Sequence, residues 1–407
     1  MDNDISIKPF KPFKTPFLSD FTLNSELFPF TNTEIISMDK ELSNYEHLFL
    51  DPEVEKNLIS KNELLASFGI SKAEQSNLSL KEAQDVYDAI LKDPNYNFIG
   101  EKLKTQKKLT KKDYEKLEFF NIAKTFREMN SKPFKISDLN PSLIKEIHRS
   151  LTVGMDIFKN HFFEFTSYKS GNFRADDSVR VGSYAPIPHD NIEEALGELI
   201  EWLNQNFSVT SIAVFHAALY AIHPFTNGNK RVCRVLEHIL LRSAGLNSEN
   251  LYSTSYYYHK EKPRYYKNIF SSLERKNLNH FVSFILEAIV LSIISVIKTS
   301  LETKRSRFLA RQPLDSLHKA ILRPLVKRGE LQFKHLYSAI IRKKMARQTF
   351  VTYLGQSVEA GSIGKRGEGR ATFYRLNLKS PEEQVIAKWL AFASERLSYI
   401  PDTIKLS

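Results

Sequence analysis

The 407-residue chain has a single cysteine, Cys233. One thiol excludes an internal disulfide and a multi-cysteine zinc site, and it suits a reducing compartment. Cys233 lies in a helical apolar pattern and reads as a small buried side chain, with a reactive thiol as the other option. The opening stretch, MDNDISIKPFKPFKTPF, has no apolar core region, so no signal peptide is legible. Long apolar runs are nearly missing too. Residues 281–297 come closest, but the run is marginal in length for a membrane span and carries Glu287 and three serines. It reads as a buried core helix or a dimer helix. Metal-ligand clusters are absent as well. His216 precedes His223 by seven residues, where a helical ligand pair needs three or four, and no cysteine or acid joins them. His216 therefore reads as a satisfied core histidine, and no protein-held metal is expected.

What the chain does have is an apolar fraction of 42%, ample for real cores, and enough length for two or three domains. Its net charge of +11 is unevenly spread. Residues 305–379 hold 17 Lys and Arg against 4 Asp and Glu, while the remainder is close to neutral. Such confinement points to a polyanion partner for that segment alone.

The densest chemistry lies in HPFTNGNKRVCR, His223 to Arg234. Before it, Ile212, Phe215, Leu219 and Ile222 recur at helical spacing; after it, Val232, Val235, Leu236, Ile239 and Leu240 do the same. Pro224 and the Thr226–Asn229 run break the pattern between them. The motif is therefore a tight loop opening a helix, whose first NH groups lack internal partners and whose dipole is positive there, a phosphate site. Arg231 and Arg234, three apart, share a face near that end. His223, at the loop's other edge, is placed to take a proton from a hydroxyl.

This stretch resembles the Fic family, whose pattern is His-Pro-Phe, one free residue, Asp or Glu, Gly-Asn-Gly-Arg, two free residues and Arg. His223, Pro224, Phe225, Gly228, Asn229, Arg231 and Arg234 match. Asn227 replaces the acid and Lys230 the second glycine. Gly171, Phe173 and Arg174 match a second family string, Gly-x-Phe-Arg. The resemblance implies transfer of AMP from ATP to a Ser, Thr or Tyr hydroxyl of a protein, with His223 as general base. It also implies that Asn227, Gly228, Asn229, Lys230, Arg231 and Arg234 hold the phosphates. Tyr265 and Tyr266 align with a family tyrosine pair beside the nucleotide, one reading as core and the other near the base. Val179, Arg180, Val181 and Gly182 would form a β-hairpin flap that holds the target segment by strand addition. Mg²⁺ would be held through the nucleotide phosphates, because an amide at position 227 is a weak ligand for a hard cation. Asn-Lys-Arg also occurs in the family's Doc branch, which moves a γ-phosphate, so phosphotransfer and removal of AMP stay as alternatives. A DNA-binding regulator with a degenerate site is the non-enzyme reading. Many family members carry an N-terminal helix whose glutamate pairs with the second arginine. The closest string, ELLASFGISKAE, puts Ser71 where that glutamate belongs; it is either such a helix or simply a packing helix.

The implied architecture is mostly α: a Fic helical core with a small β-hairpin flap, plus a C-terminal winged helix-turn-helix. Residues 1–42 form an arm, or a disordered tail, with the repeat KPFKPFKTPF. Residues 43–135 are a helical extension, including a Ser79 N-cap with Glu82 as its capping-box partner. Residues 136–304 hold the catalytic core and following helices, and 380–407 a final helix or tail. In 305–379, three helical runs precede two short alternating runs around a Gly-rich turn, the order of a winged helix-turn-helix. DNA would then meet Arg342, Lys343, Lys344, Arg347 and Gln348 on the third helix and Lys365, Arg366 and Arg370 in the wing; docking of a protein is the alternative. No membrane partner is expected, and a homodimer is possible. The expected location is cytoplasmic, including that of a bacterial protein delivered to a host cell to act on chromatin.

Overall fold

Helical periodicity governs the chain from Asn32 onward, and the computed structural model is accordingly built of helices. It describes all residues except 1–10, 14–17, 50, 51, 75, 94, 106, 163, 164, 340–344, 406 and 407. In order come α1 (Asn32–Phe49), α2 (Pro52–Ser71), α3 (Leu80–Lys92), α4 (Phe98–Lys104), α5 (Lys111–Asn130) and α6 (Pro141–Thr152). Then follow α7 (Ile192–Gln205), α8 (Val209–Ile222), α9 (Asn229–Ser243), α10 (Thr254–Lys260), α11 (Lys262–Arg275) and α12 (Asn279–Arg311). The last part holds α13 (Ser316–Arg328), β1 (Glu330–Gln332), α14 (Phe333–Ser338), α15 (Arg347–Glu359), β2 (Ile363–Arg366), β3 (Phe373–Leu376) and α16 (Glu382–Ser394). Two compact units result: Met1–Glu41 with Lys56–Ser292, and Leu42–Glu55 with Ile293–Ser407.

The first unit is organised around α8. Every residue of this helix except Thr210 is buried, as expected of a helix apolar on all sides. It packs on α7 and α9, while α6 bridges α5 and α9. Local signals set the helix starts. The Ser79 side chain accepts from the Glu82 NH, and the Glu82 carboxylate accepts from the Ser79 NH at 2.8 Å, completing the capping box. Asn140 caps α6 through the Leu143 NH at 2.9 Å, with Pro141 in the first turn. The arm lies on the body: Phe13, Leu18, Phe21, Leu23 and Phe30 are buried, and Thr22 pairs with the backbone of Lys276 and Leu278. Phe10 and Phe17 of the repeat are outside the described residues.

α12 is long and apolar enough to cross a membrane by length and composition, yet its most apolar window is 83% buried within the protein. Glu287 is tolerated there because Arg264 clamps it with two bonds of 2.6 and 2.8 Å and the Tyr257 hydroxyl adds a third.

In the second unit β1, β3 and β2 form an antiparallel sheet in that order, with Leu331 opposite Tyr374 and Gly364 opposite Arg375. Its core gathers Ile321, Leu322, Leu325, Leu336, Phe350, Leu354 and Ile363. The β2–β3 connection needs a glycine at Gly367: φ is +81°, and a Cβ would fall 2.4 Å from the Ala371 carbonyl oxygen. Helix, helix, helix, hairpin is the order that the apolar pattern predicts, but α15 starts at Arg347 rather than at Arg342.

Candidate active site

Pro224 interrupts the helical period, and the chain turns just before it. His223 ends α8 in the left-handed region at φ +51°, its NH still bonded to the Leu219 carbonyl. The ring's Nδ1 lies 3.2 Å from the Tyr220 carbonyl oxygen. A carbonyl only accepts, so Nδ1 carries the hydrogen and Nε2 is left as the basic nitrogen.

The loop after His223 is tied on three sides. Asn229 closes it from within: its Oδ1 accepts from the Phe225 NH at 2.9 Å, and its Nδ2 donates to the Phe225 carbonyl at 2.7 Å. His148, from α6, supports it from below. Its ring stacks on Phe225 at 3.8 Å, its Nε2 donates to the Asn227 carbonyl at 3.0 Å, and its Nδ1 accepts from the Gly171 NH at 3.0 Å. Burial pushes the His148 pKa down to about 4, so this ring is neutral. Arg174 is the third tie. It is buried; its Nε donates to the His223 carbonyl at 3.0 Å and its NH to the Pro224 carbonyl at 2.9 Å. Its Nη atoms reach Asp177 Oδ1 at 2.8 Å and the Asp176 and Ile187 carbonyls.

Gly228 is the turn itself. Its φ is +84°, and a Cβ would sit 3.2 Å from His148 Nε2. It is also the N-cap of α9 and provides no side-chain hydrogen bond, so the positive end of α9 is open to an anion. A cavity of about 200 Å³ lies over this end, lined by His223, Thr226 to Lys230, Tyr220, Phe270 and the flap residues Arg180, Val181 and Gly182. Its lining includes the cations Arg180 and Lys230 and no carboxylate. Thr226 Oγ1 is buried without a hydrogen-bond partner.

Asn227 Oδ1 is occupied by the Gly228 NH at 2.8 Å. With no carboxylate in the lining, these residues do not fit a protein-held Mg²⁺, and no group of three potential metal ligands occurs among the described residues.

Several expected site residues lie elsewhere. Arg231 and Arg234 are buried and do not line the cavity. Arg231 pairs with Glu118 and lies 4.9 Å from the centre of the Tyr168 ring. Arg234 donates to the Gly69 carbonyl at 2.8 Å and rests on the rings of Tyr265 and Tyr258. The ELLASFGISKAE helix thus does reach the second arginine, but through a backbone carbonyl; Ser71 bonds the Phe68 carbonyl instead. Gly69 is required there because a Cβ would fall 2.4 Å from the Ser255 carbonyl oxygen.

Tyr265 is the core member of its pair, wholly buried and bonded to His216 at 3.1 Å, so it supports Arg234 and does not face a nucleotide. His216 also meets Glu237 at 2.5 Å, which confirms it as a satisfied core histidine. Tyr266 is half-buried; its hydroxyl donates to the Ala73 carbonyl, and Lys230 Nζ lies 5.3 Å from its ring centre. It lines a neighbouring cavity with Asn77, Glu115 and Glu118. The flap is smaller than a hairpin of strands: Val181 and Tyr184 form a single bridge around Gly182 at φ +62°, and Val179 pairs with nothing as a strand residue. Two residues of the site escape sequence reasoning, the loop support His148 and the lining residue Phe270. His148 reads as one more residue beside the α6 stripe; its only signal is a polar side chain next to Ile144, Ile147 and Leu151.

Of the residues expected to meet DNA, Arg342, Lys343 and Lys344 lie outside the described residues, as does the side chain of Arg370. Arg347, Gln348 and Lys365 are exposed. Arg366 is exposed but engaged by Glu330 at 2.7 Å.

Residues 138–241 match the Fic/DOC family. Protein adenylyltransferase fic-1 of Caenorhabditis elegans is 29% identical over 115 residues, covering 26% of this chain and 22% of that one. A probable protein adenylyltransferase of Aquifex aeolicus is 24% identical over 136 residues, covering 32% of this chain and 39% of the other. The chain therefore spans well under half the length of either relative. A Fic family protein from Desulfovibrio desulfuricans G20 aligns with a TM-score of 0.51 at 18% identity, over 86% of this chain and 98% of that chain, a likeness of fold.

Proposed function

We propose that this chain, which carries a Fic/DOC family domain in residues 138–241, transfers AMP from ATP to a hydroxyl of a protein acceptor. The observation that carries this reading is the fixed tautomer of His223 beside an uncapped helix N-terminus. The Nε2 lone pair takes the proton of the acceptor hydroxyl. The resulting oxygen attacks the α-phosphorus, and the bond from that phosphorus to the bridging oxygen of pyrophosphate breaks. Charge that develops on the phosphates is met by the start of α9, the Thr226 hydroxyl and Lys230. Such a preformed electrostatic site is commonly the largest catalytic contribution. Asn229 and His148 act by holding the loop, and Arg231 and Arg234 by supporting α9 from its buried face.

The test is incubation of the full chain with cell extract and ATP labelled at the α or the γ position. Label from the α position, lost in His223→Ala, is the expected result. Label from the γ position alone would instead establish phosphotransfer, the reading that the Lys230 side chain at the phosphate loop would favour. The second unit is proposed to dock on DNA through its basic face; the motivation is the charge of residues 305–379.

A further inference from the structure

We infer that the acceptor side chain is a tyrosine, and that Phe270 selects it. This rests on the AMP-transfer reading and names the substrate class of that site. Phe270 is 38% exposed and lines the cavity that holds His223. The other ring in that lining, Tyr220, is 2% exposed and packs on His223 at 5.2 Å. Phe270 is therefore the aromatic surface in the cavity still open to a ligand. It is held ready: Tyr266, one helical turn earlier on α11, backs it with ring centres 5.5 Å apart, and Tyr266 is itself anchored through its hydroxyl to Ala73. The flap residues Val181 and Gly182 line the same cavity, so an acceptor segment lying along the flap would bring its side chain against this ring.

Serine and threonine would leave the Phe270 ring facing water, while a phenol ring would cover it. Aromatic pairs attract beyond what their area burial supplies. The chemistry agrees with the packing. A phenol releases its proton near pH 10, far more readily than an aliphatic alcohol. A lining with Arg180 and Lys230 and without a carboxylate favours the phenolate further. His223 Nε2 takes the phenol proton, the phenolate oxygen bonds to the α-phosphorus, pyrophosphate leaves with the electron pair, and the imidazolium returns its proton to solvent. The product is a tyrosine joined to AMP by a phosphodiester.

The experiment supplies the full chain with α-labelled ATP and, separately, N-acetyltyrosinamide, N-acetylserinamide or N-acetylthreoninamide. Self-modified residues are identified by tandem mass spectrometry. Label is expected on tyrosinamide and on tyrosines of the chain. Phe270→Ala is expected to lower kcat/KM for tyrosinamide roughly tenfold with KM for ATP unchanged, and Phe270→Tyr to restore it. Circular dichroism checks that the variants fold. Label on serine or threonine would overturn the inference while leaving AMP transfer standing. A raised KM for ATP in Phe270→Ala would overturn it as well, assigning the ring to the nucleotide. If the wild type transfers no α label to anything, both readings fall together.

Discussion

Arg231 Nη1 and Glu118 Oε1 lie 3.2 Å apart, with the arginine side chain 0% and the glutamate side chain 1% exposed. The pair joins α9 to α5, which lies outside the segment matched to the family. A buried ion pair adds little net stability, because desolvation offsets the attraction. Removing one partner is a different matter, since the survivor is left charged in a dry site. Glu118→Ala is expected to destabilise the first unit by roughly 3–5 kcal/mol. The double variant with Arg231→Met should recover part of that loss. Urea unfolding followed by fluorescence measures both; additive losses would mean that the two side chains do not interact.

His148 makes stability depend on pH. Its folded-state pKa is about 4, against an ordinary histidine value of 6.5. Above pH 6.5 the ring is neutral whether the chain is folded or not. As pH falls through 6.5 the unfolded chain takes up a proton that the folded site refuses, so stability drops progressively until about pH 4. The loss is on the order of 3 kcal/mol. His238, held down to about 3 by burial, acts in the same direction, so the wild type alone cannot isolate His148. His148→Gln should unfold more easily at pH 7.5 yet lose less stability between pH 7 and pH 5. Parallel curves for wild type and variant would reject this account.

The legible parts of the chain are those where a local rule and the packing agree. Ser79 with Glu82, and Asn140 with Pro141, mark helix starts that any tertiary context would keep. The break at Pro224 locates the loop between α8 and α9, because a proline there removes the NH that would continue the helix. Contacts made across long sequence distances are less accessible. His148 reaches Asn227 across 79 positions, and no spacing rule connects α6 to the loop. The arginines show the same gap from the other side: helical spacing puts Arg231 and Arg234 on one face but does not say which face is buried, and both lie inward. Tyr265 and Tyr266 are adjacent in sequence, and only their neighbours decide which is core. The alternation at Val179–Val181 overstates the flap, since three residues beside a tight turn satisfy the strand pattern while forming a single bridge.

Arg174 connects the flap to His223. Its guanidinium bonds the His223 carbonyl on one side and Asp176, Asp177 and Ile187 on the other. A lysine offers a point charge without the planar fork, so it cannot span both sides. Arg174→Lys is expected to displace His223 and the flap together while leaving Gly228 and the start of α9 in place. Misplacement of a reacting group by an ångström costs about a hundredfold in rate. The expected outcome is therefore a fall of that order in kcat with little change in the affinity for ATP, read by steady-state kinetics and by calorimetry. Equal loss of nucleotide binding would show that Arg174 maintains the fold of the whole loop instead.

The basic face of the second unit sets up a test with salt as the variable. Arg347 opens α15 and Lys365 is an exposed residue of β2, whereas Arg366 is already paired with Glu330. If this face meets DNA phosphates, each contacting cation releases a counterion on binding, and log affinity falls linearly with log salt. Replacing Arg347 and Lys365 together by glutamine should weaken binding to a labelled duplex at every sequence tried and lower the salt slope by about two. Arg366→Gln should change it less, because its loss also frees Glu330. Fluorescence anisotropy between roughly 50 and 200 mM salt reads both quantities in the full chain. Binding without salt dependence, or a slope indifferent to Arg347 and Lys365, would remove the phosphate contact and leave protein docking as the use of this face.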